Sequence, residues 1–165
     1  MRIALDAMGG DYAPKNLVEG AVMALREYDA LTKLFLVGDE ARIQAELKRL
    51  AFSDPRIELV HASQVVDMTD GAADSVRKKR DSSISRAVEL VKSGQAEALV
   101  SAGHTGAAVA TCHIKLRTLP EIERPAIGAV IPTAKRPTKK LNRVRECRIA
   151  VQENPKSREI PRLWI

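Results

Sequence analysis

Short apolar segments alternate along this chain with longer segments in which apolar residues recur at helical spacing. Brief runs rich in Leu, Val, Ile and Ala are typical of buried strands. Five segments fit this description: 2–7, 33–38, 57–61, 96–102 and 126–131. Between them, one-sided apolar patterns predict helices: 17–28, 43–50 and 84–91. This alternation predicts an α/β fold made of βαβ units, with a mainly parallel sheet covered by helices.

The segment 105–117 differs from the other helical segments because it is apolar almost all round. A helix without a polar face is normally buried on several sides. We therefore expect this helix to be enclosed between the sheet and another part of the protein.

The charge of the chain divides sharply at residue 134. Residues 1–134 hold 17 Lys and Arg against 18 Asp and Glu, whereas residues 135–165 hold 10 against 3, which accounts for the net charge of +6. A shift this abrupt usually marks the boundary of a folded body. We therefore predict an α/β domain over 1–134 and a basic tail over 135–165.

Several classes of protein are disfavoured by the composition. No apolar run approaches the ~20 residues of a membrane-spanning helix, and the first residues lack the pattern of a signal peptide. Aromatic residues make up 3% of the chain, which leaves little for stacking on nucleic-acid bases. Two cysteines are too few for a disulfide framework or a zinc cluster. We expect a cytoplasmic protein without a nucleic-acid partner.

The first candidate site follows the first predicted strand, because ligands of α/β sheets bind beyond the carboxyl ends of strands. Gly9 and Gly10 stand between Asp6 and Asp11. Paired glycines allow a sharp turn or the close approach of a ligand. The alternatives are a ligand site and a tight turn in which Asp11 binds local amides. A metal site is disfavoured, because such sites gather more oxygen ligands at close spacing.

The second candidate is the run SAGHTG at 101–106, where a strand meets a helix. The amides of Thr105 and Gly106 would be unpaired donors of a helix N-terminus, which attract anions. The run lacks the lysine of a P-loop and the third glycine of a dinucleotide site. It is either a phosphate cradle or a plain turn capped by Ser101 or Thr105. His104 is either a general base or anion donor, since imidazole titrates near neutral pH, or a solvated turn residue.

The third candidate is the run RKKRDSS at 77–83, in which four cations precede Asp81, Ser82 and Ser83. Asp and Ser are residues that cap helices, and cations at a helix start strengthen its positive potential. The run is either a solvated face or a site for phosphate or for an acidic partner that carries phosphopantetheine.

Three stretches together resemble one family. They are MRIALDAMGGDYAP at 1–14, RKKRDSSISRAVELVKSGQAEALVSAGHTGA at 77–107 and LRTLPEIERPAIGAVIPT at 116–133. In this order they resemble the bacterial phosphate acyltransferases of phospholipid synthesis. The resemblance implies a fold similar to the isocitrate and isopropylmalate dehydrogenases and to phosphotransacetylase.

The resemblance also implies a reaction and its partners. Acyl-acyl carrier protein and inorganic phosphate would give an acyl phosphate, which a membrane acyltransferase then uses to acylate glycerol 3-phosphate. It implies a homodimer without a cofactor, located in the cytoplasm or peripherally at the inner membrane. Such acyl transfer needs an anion site for the nucleophile and donors for the oxyanion, but no metal.

The resemblance and the motifs together assign candidate residues. The expected catalytic residues are Lys79, His104 and Thr105, although the family usually has Asn at position 104. The expected substrate-binding or phosphate-binding residues are Asp6, Gly9, Gly10, Arg80, Asp81, Ser82, Ser83, Ser101, Gly103 and Gly106. Main-chain amides of 101–106 would hold phosphate, Thr105 would add its hydroxyl, and Lys79 or Arg80 would supply charge.

The resemblance ends near residue 133, where the family continues into a second half. Residues 134–165 contain no glycine and no amphipathic helix of useful length. We therefore expect a truncated, marginally stable domain that is inactive alone, followed by a tail that is either frameshifted or disordered.

Two other functions stay open. One is a phosphate- or anion-binding α/β module without catalysis. The other is a nucleic-acid binder that uses its basic tail through counterion release. The prolines of the tail argue against a recognition helix.

Overall fold

The computed structural model describes residues 1–118 and the backbones of three short strands at 127–129, 147–149 and 163–164. Its main element is a four-stranded sheet in the order β3-β2-β1-β4, in which every pairing is parallel. The strands are β1 Arg2–Asp6, β2 Lys33–Gly38, β3 Ile57–His61 and β4 Ala98–Val100. The predicted α/β fold with a mainly parallel sheet is confirmed.

Strands β1, β2 and β4 are mostly apolar because both faces of the sheet are covered there, whereas β3, at one edge, carries the exposed Glu58 and His61. Successive side chains point to opposite faces. Ala4, Phe35 and Val37 belong to one buried cluster. Leu5 and Leu36 belong to the other.

Helices cover these two faces. They are α1 Lys15–Glu27, α2 Glu40–Arg49, α3 Ala72–Lys78, α4 Ser83–Lys92 and α5 Thr105–Leu116. Buried residues of α1 and α2 share the cluster of Leu5, whereas those of α4 and α5 share the cluster of Ala4. The chain therefore changes faces between β3 and β4, and β4 lies beside β1. The carboxyl ends of β1 and β4 form the switch point where open α/β sheets bind ligands.

One helix was missed, and two expectations about the others differ from the structure in detail. Helix α3 was not predicted, because seven residues are too few to show a repeated apolar face. Tyr28 follows α1 with an extended backbone and is 49% exposed. Within the described residues, helix α5 is buried on one side, through residues such as Ala108 and Cys112, while Ile114 is 57% exposed. Small alanines let α5 pack closely against its neighbours through that one face.

A second sheet is antiparallel and has the order β5-β6-β7. Its strands are β5 Ile127–Ala129, β6 Cys147–Ile149 and β7 Leu163–Trp164. The strand expected at 126–131 is present, but it pairs with the next strand along the chain and not with the parallel sheet. The rest of the predicted tail at 135–165 lies outside the described residues, so its frameshifted or disordered nature stays a prediction.

In the part of the chain that the structure describes, no helix is both long enough and apolar enough to cross a bilayer.

Candidate active site

Asp6 lies at the centre of the switch point and is only 1% exposed. Its Oδ2 accepts a hydrogen bond from Ser101 Oγ at 2.8 Å, and its Oδ1 accepts one from the Met8 amide at 3.1 Å. The Ser83 side chain also lies close enough to the carboxylate to lower its pKa. Asp6 thereby joins the turn after β1, the turn after β4 and the first residue of α4.

The environment of Asp6 sets its protonation. Burial raises the pKa of this carboxyl, and the hydrogen bonds from Ser83, Ser101 and the amides of Met8 and Gly9 lower it only in part. A folded-state pKa above that of an exposed aspartate means that protonation at low pH stabilises the folded chain. The charged Asp6 carboxylate therefore costs stability, as is common for groups retained at functional sites.

The glycines of the two turns are in direct contact. A Cβ on Gly9 would lie 2.7 Å from the Gly103 nitrogen and 2.8 Å from Asp6 Oδ2. Gly10 has a φ of +97°, in the left-handed region, and its Cβ would lie 3.2 Å from the Ala102 carbonyl oxygen. Both residues are therefore needed for the two turns to pack against each other.

His104 is the N-cap of α5. Its Nδ1 accepts a hydrogen bond from the Ala107 amide at 3.1 Å, and its Nε2 lies 3.0 Å from the Asp70 carbonyl oxygen. Because Nδ1 accepts, the proton is on Nε2, which donates to Asp70. The expected capping by Ser101 or Thr105 was wrong, since Ser101 binds Asp6 and Thr105 is already helical.

This capping role is compatible with the Asn that the resemblance leads us to expect at position 104. Asn is among the best N-cap residues, and the Nδ1 atom of His104 takes the place of its side-chain oxygen. Both ring nitrogens are engaged in this arrangement, so His104 is not positioned as a general base.

Helix α5 presents two amides at its start. His104 satisfies the amides of Ala107 and Ala108 through Nδ1 and its carbonyl oxygen. No residue within 1–118 accepts from the amides of Thr105 and Gly106, and Thr105 is exposed. Unpaired amides at the positive end of a helix dipole are suited to bind an anion.

The run at 77–83 leads into the start of α4 as expected, and Lys79 within it is also the residue that ends α3. Its Nζ binds Asp70 Oδ2 at 2.6 Å, the Val65 carbonyl oxygen at 2.8 Å and Asp67 Oδ2 at 3.4 Å. The hydrogen bond with Asp70 raises the pKa of Lys79 and lowers the pKa of Asp70. Lys79 therefore holds the loop that reaches His104, and its charge is already compensated.

Ser82 caps α4 by accepting a hydrogen bond from the Ser85 amide at 3.3 Å. Asp81 accepts from the Ser63 amide at 3.1 Å, from Ser63 Oγ at 2.6 Å and from Arg86 Nε at 2.5 Å. These bonds tie the segment after β3 to the start of α4. They lower the pKa of Asp81 to about 2, with the Ser63 hydroxyl as the largest cause.

We expect the variant Asp81→Asn to be less stable than the wild type at pH 7. A pKa lowered from 3.8 to about 2 corresponds to about 2.5 kcal/mol, and the 32% exposure of the side chain reduces this to roughly 1 kcal/mol. The stabilisation is present above pH 4 and is lost as the pH falls through about 2.

Urea unfolding of both proteins from pH 7 to pH 2 measures this difference. The matched control is Asp74→Asn, because Asp74 forms an exposed pair with Lys78. That control should stay within about 0.5 kcal/mol of the wild type. Equal stability of Asp81→Asn and wild type at pH 7 would contradict the assignment.

The described residues support neither a reactive cysteine nor a metal site. Burial raises the pKa of the Cys112 thiol to about 12, so this cysteine stays protonated. Within residues 1–118, no group of three His, Cys, Asp or Glu side chains is placed to hold a metal ion.

The structure thus places the expected site residues in two groups. The first group surrounds the carboxyl ends of β1 and β4: Asp6, Gly9, Gly10, Ser83, Ser101, Gly103, His104, Thr105 and Gly106. The second lies between α3 and α4: Lys79, Arg80, Asp81 and Ser82. Sequence reasoning missed Asp70, which binds Lys79 and His104 together. Its only local signal is the Asp-Gly pair before α3.

The chain is similar to known proteins over most of its length. A family model described as "Fatty acid synthesis protein" matches residues 1–144. The chain is 54% identical over 133 residues to a phosphate acyltransferase of Trichlorobacter lovleyi, and 48% identical over 132 residues to one of Akkermansia muciniphila. These matches cover 81% and 80% of the chain. The chain spans 38% of the length of each relative.

Solved structures show the same fold. A phosphotransacetylase from Streptococcus pyogenes superposes with a TM-score of 0.56 at 20% identity, over 77% of this chain and 41% of that one. The EutD phosphotransacetylase from Staphylococcus aureus gives a TM-score of 0.52 at 20% identity, over 81% and 43%. The expected similarity to the phosphotransacetylase fold is confirmed.

Proposed function

This chain belongs to the fatty acid synthesis protein family, and from that premise we propose that its function is the transfer of a fatty acyl group to inorganic phosphate. The acyl donor is acyl-acyl carrier protein, and the product is an acyl phosphate for phospholipid synthesis. Relatives about 50% identical to this chain are phosphate acyltransferases. One structural observation supports the proposal most: the amides of Thr105 and Gly106 lie at the switch point of the sheet and have no acceptor within residues 1–118.

In the proposed reaction, a phosphate oxygen attacks the thioester carbonyl carbon. The tetrahedral intermediate collapses with cleavage of the carbon–sulfur bond, and the carrier sulfur leaves as a thiolate that takes up the proton lost by the attacking hydrogen phosphate. Residues of this chain hold the nucleophile: the amides of Thr105 and Gly106 bind phosphate oxygens, and the Thr105 hydroxyl adds a third donor. Fixing phosphate in this way reduces the entropic cost of the encounter and strips water from the nucleophile.

The basic residues Arg80 and Lys79 have different roles in the proposed reaction. Arg80 is exposed and has no ion-pair partner among the described residues, so its charge is available to phosphate. Lys79, bound to Asp67 and Asp70, acts indirectly. It holds the loop whose Asp70 carbonyl orients His104. His104 in turn caps the helix that presents the amides.

Partners and location belong to the same proposal and rest on the resemblance of the three sequence stretches. They are a homodimer in the cytoplasm, peripheral association with the inner membrane, and delivery of acyl phosphate to a membrane acyltransferase.

A second candidate function is a phosphate-binding module without catalysis. It is favoured by one observation, that Lys79 and His104, two of the expected catalytic residues, are both engaged in contacts within the chain. The two functions differ in one assay. Phosphate-dependent release of the free carrier thiol identifies acyl transfer, whereas phosphate binding without thiol release identifies the module.

We expect the variant Thr105→Pro to lose phosphate affinity while it keeps its fold. Proline is tolerated at the first position of a helix, where it removes only an amide that the helix does not use. His104 has φ −68° and ψ 101°, an extended conformation compatible with a following proline. Loss of one hydrogen bond to a charged ligand should weaken binding roughly tenfold or more.

Titration calorimetry with inorganic phosphate measures this loss. The matched control is Thr105→Ala, which removes the hydroxyl but keeps the amide and should weaken binding less than the proline. If Thr105→Pro binds phosphate as tightly as the wild type, the amide site is wrong.

A further inference from the structure

A chain of hydrogen bonds connects the buried Asp6 to the turn that begins α5. The Gly103 amide donates to Ser101 Oγ at 3.2 Å, and Ser101 Oγ donates to Asp6 Oδ2 at 2.8 Å. Ser101 is buried like Asp6, so water does not compete for these bonds. The peptide of Gly103 is therefore oriented by Asp6 through Ser101.

The oriented peptide stands directly before the helix start. Gly103 precedes His104, whose ring caps α5, and His104 precedes Thr105 and Gly106. On its other side, Gly103 contacts Gly9, since a Cβ on Gly103 would lie 3.0 Å from the Gly9 Cα. A small rotation of the Gly103 peptide would thus turn the amides of Thr105 and Gly106 away from a common anion.

Asp6 is poorly suited to bind phosphate itself. Its side chain is closed to solvent, and both of its oxygens already accept hydrogen bonds from the protein. A carboxylate placed against a phosphate would also repel it. The role of Asp6 must therefore pass through the groups that it holds.

We propose that Asp6 is a positioning residue, which through Ser101 fixes the Gly103 peptide and so aims the amides of Thr105 and Gly106 at phosphate. This inference rests on the proposed function, and it replaces the expectation that Asp6 and Ser101 are phosphate ligands. The acceptor capacity of Asp6 is the property required. Its two oxygens receive donors from two different turns, which an asparagine, with one oxygen, cannot do.

Two variants and one control test this role. Asp6→Asn removes one acceptor and keeps the shape of the side chain. Because burial raises the pKa of Asp6, loss of its charge also relieves a desolvation cost, and this variant is expected to fold. Ser101→Ala removes the hydroxyl that links the Gly103 amide to Asp6. The control Ser75→Ala removes another buried hydroxyl, which donates to the Ala72 carbonyl oxygen within α3.

Two readouts are measured on the wild type and on each variant: hydrogen exchange of the Gly103 amide by NMR, and the Kd for inorganic phosphate. We expect Gly103 exchange to become at least tenfold faster, and the Kd to rise about tenfold, in both Asp6→Asn and Ser101→Ala. The double variant should be no worse than Ser101→Ala, because both changes break one connection. Ser75→Ala should change neither readout.

The outcomes separate this inference from the proposed function. If the wild type binds phosphate and either variant retains the wild-type Kd, the positioning role is overturned while the proposed function stands. Faster Gly103 exchange with an unchanged Kd would mean that the connection is only structural. If the wild type does not bind phosphate, the proposed function fails, and the positioning role fails with it.

Discussion

Replacement of Gly9 by alanine is expected to lower the free energy of unfolding by about 2–3 kcal/mol, the upper part of the range for overpacking. The new Cβ would lie 2.7 Å from the Gly103 nitrogen and 2.8 Å from Asp6 Oδ2. A flexible side chain could move aside, but the Gly103 backbone is held by Ser101. The two turns must therefore separate, and we expect phosphate binding to be lost together with stability.

The matched control for this prediction is Gly20→Ala in α1. Nothing lies within 4 Å of a Cβ at Gly20, so the substitution is sterically free. Alanine in a helix interior is favoured over glycine by about 1 kcal/mol. Urea denaturation of both variants should thus give changes of opposite sign. A Gly9→Ala protein as stable as Gly20→Ala would show that the two turns are not in contact.

Replacement of Leu99 by alanine is expected to cost about 3 kcal/mol, within the usual range for a large apolar residue removed from a core. Leu99 is fully buried in β4 and packs in the cluster that includes Ala4, Val88 and Cys112. This strand carries Ser101 at its end, so a cavity beneath it also loosens the turn that begins α5.

Ile114→Ala provides the comparison for the Leu99 variant. Ile114 is 57% exposed on α5, and exposed truncations usually stay within about 0.5 kcal/mol of the wild type. Thermal unfolding of the two variants distinguishes the core from the surface. Similar losses for both would contradict the position of β4 in the core.

The parallel sheet was predictable because β1, β2 and β4 are short, mostly apolar segments that alternate with helical patterns. Their ends were less predictable. The segment 96–102 was expected to be one strand, but β4 comprises only Ala98–Val100. Ser101 leaves the ladder because its hydroxyl binds Asp6 and accepts from Gly103. The secondary-structure propensities of individual residues cannot reveal a contact between residues so far apart in the sequence.

The candidate site was predictable as a set of residues but not as a set of roles. Glycines and small polar residues after β1 and β4 are visible in the sequence. However, Asp6 and Ser101 are 95 positions apart, and their contact depends on the register of β1 against β4. In the same way, Lys79 looked like a free cation until the structure paired it with Asp67 and Asp70. Charge partners from a distant loop decide whether a basic run is available to a ligand.

The most direct test of a phosphate site at the carboxyl ends of β1 and β4 is a titration of the ¹⁵N-labelled chain with inorganic phosphate, followed by amide NMR. If phosphate binds at this site, the chemical shifts of the amides should change saturably, most at Thr105 and Gly106 and less at Gly103 and Gly9. Shifts confined to the basic run at 77–80, or no saturable shift in residues 1–118, would contradict a phosphate site at the carboxyl ends of β1 and β4.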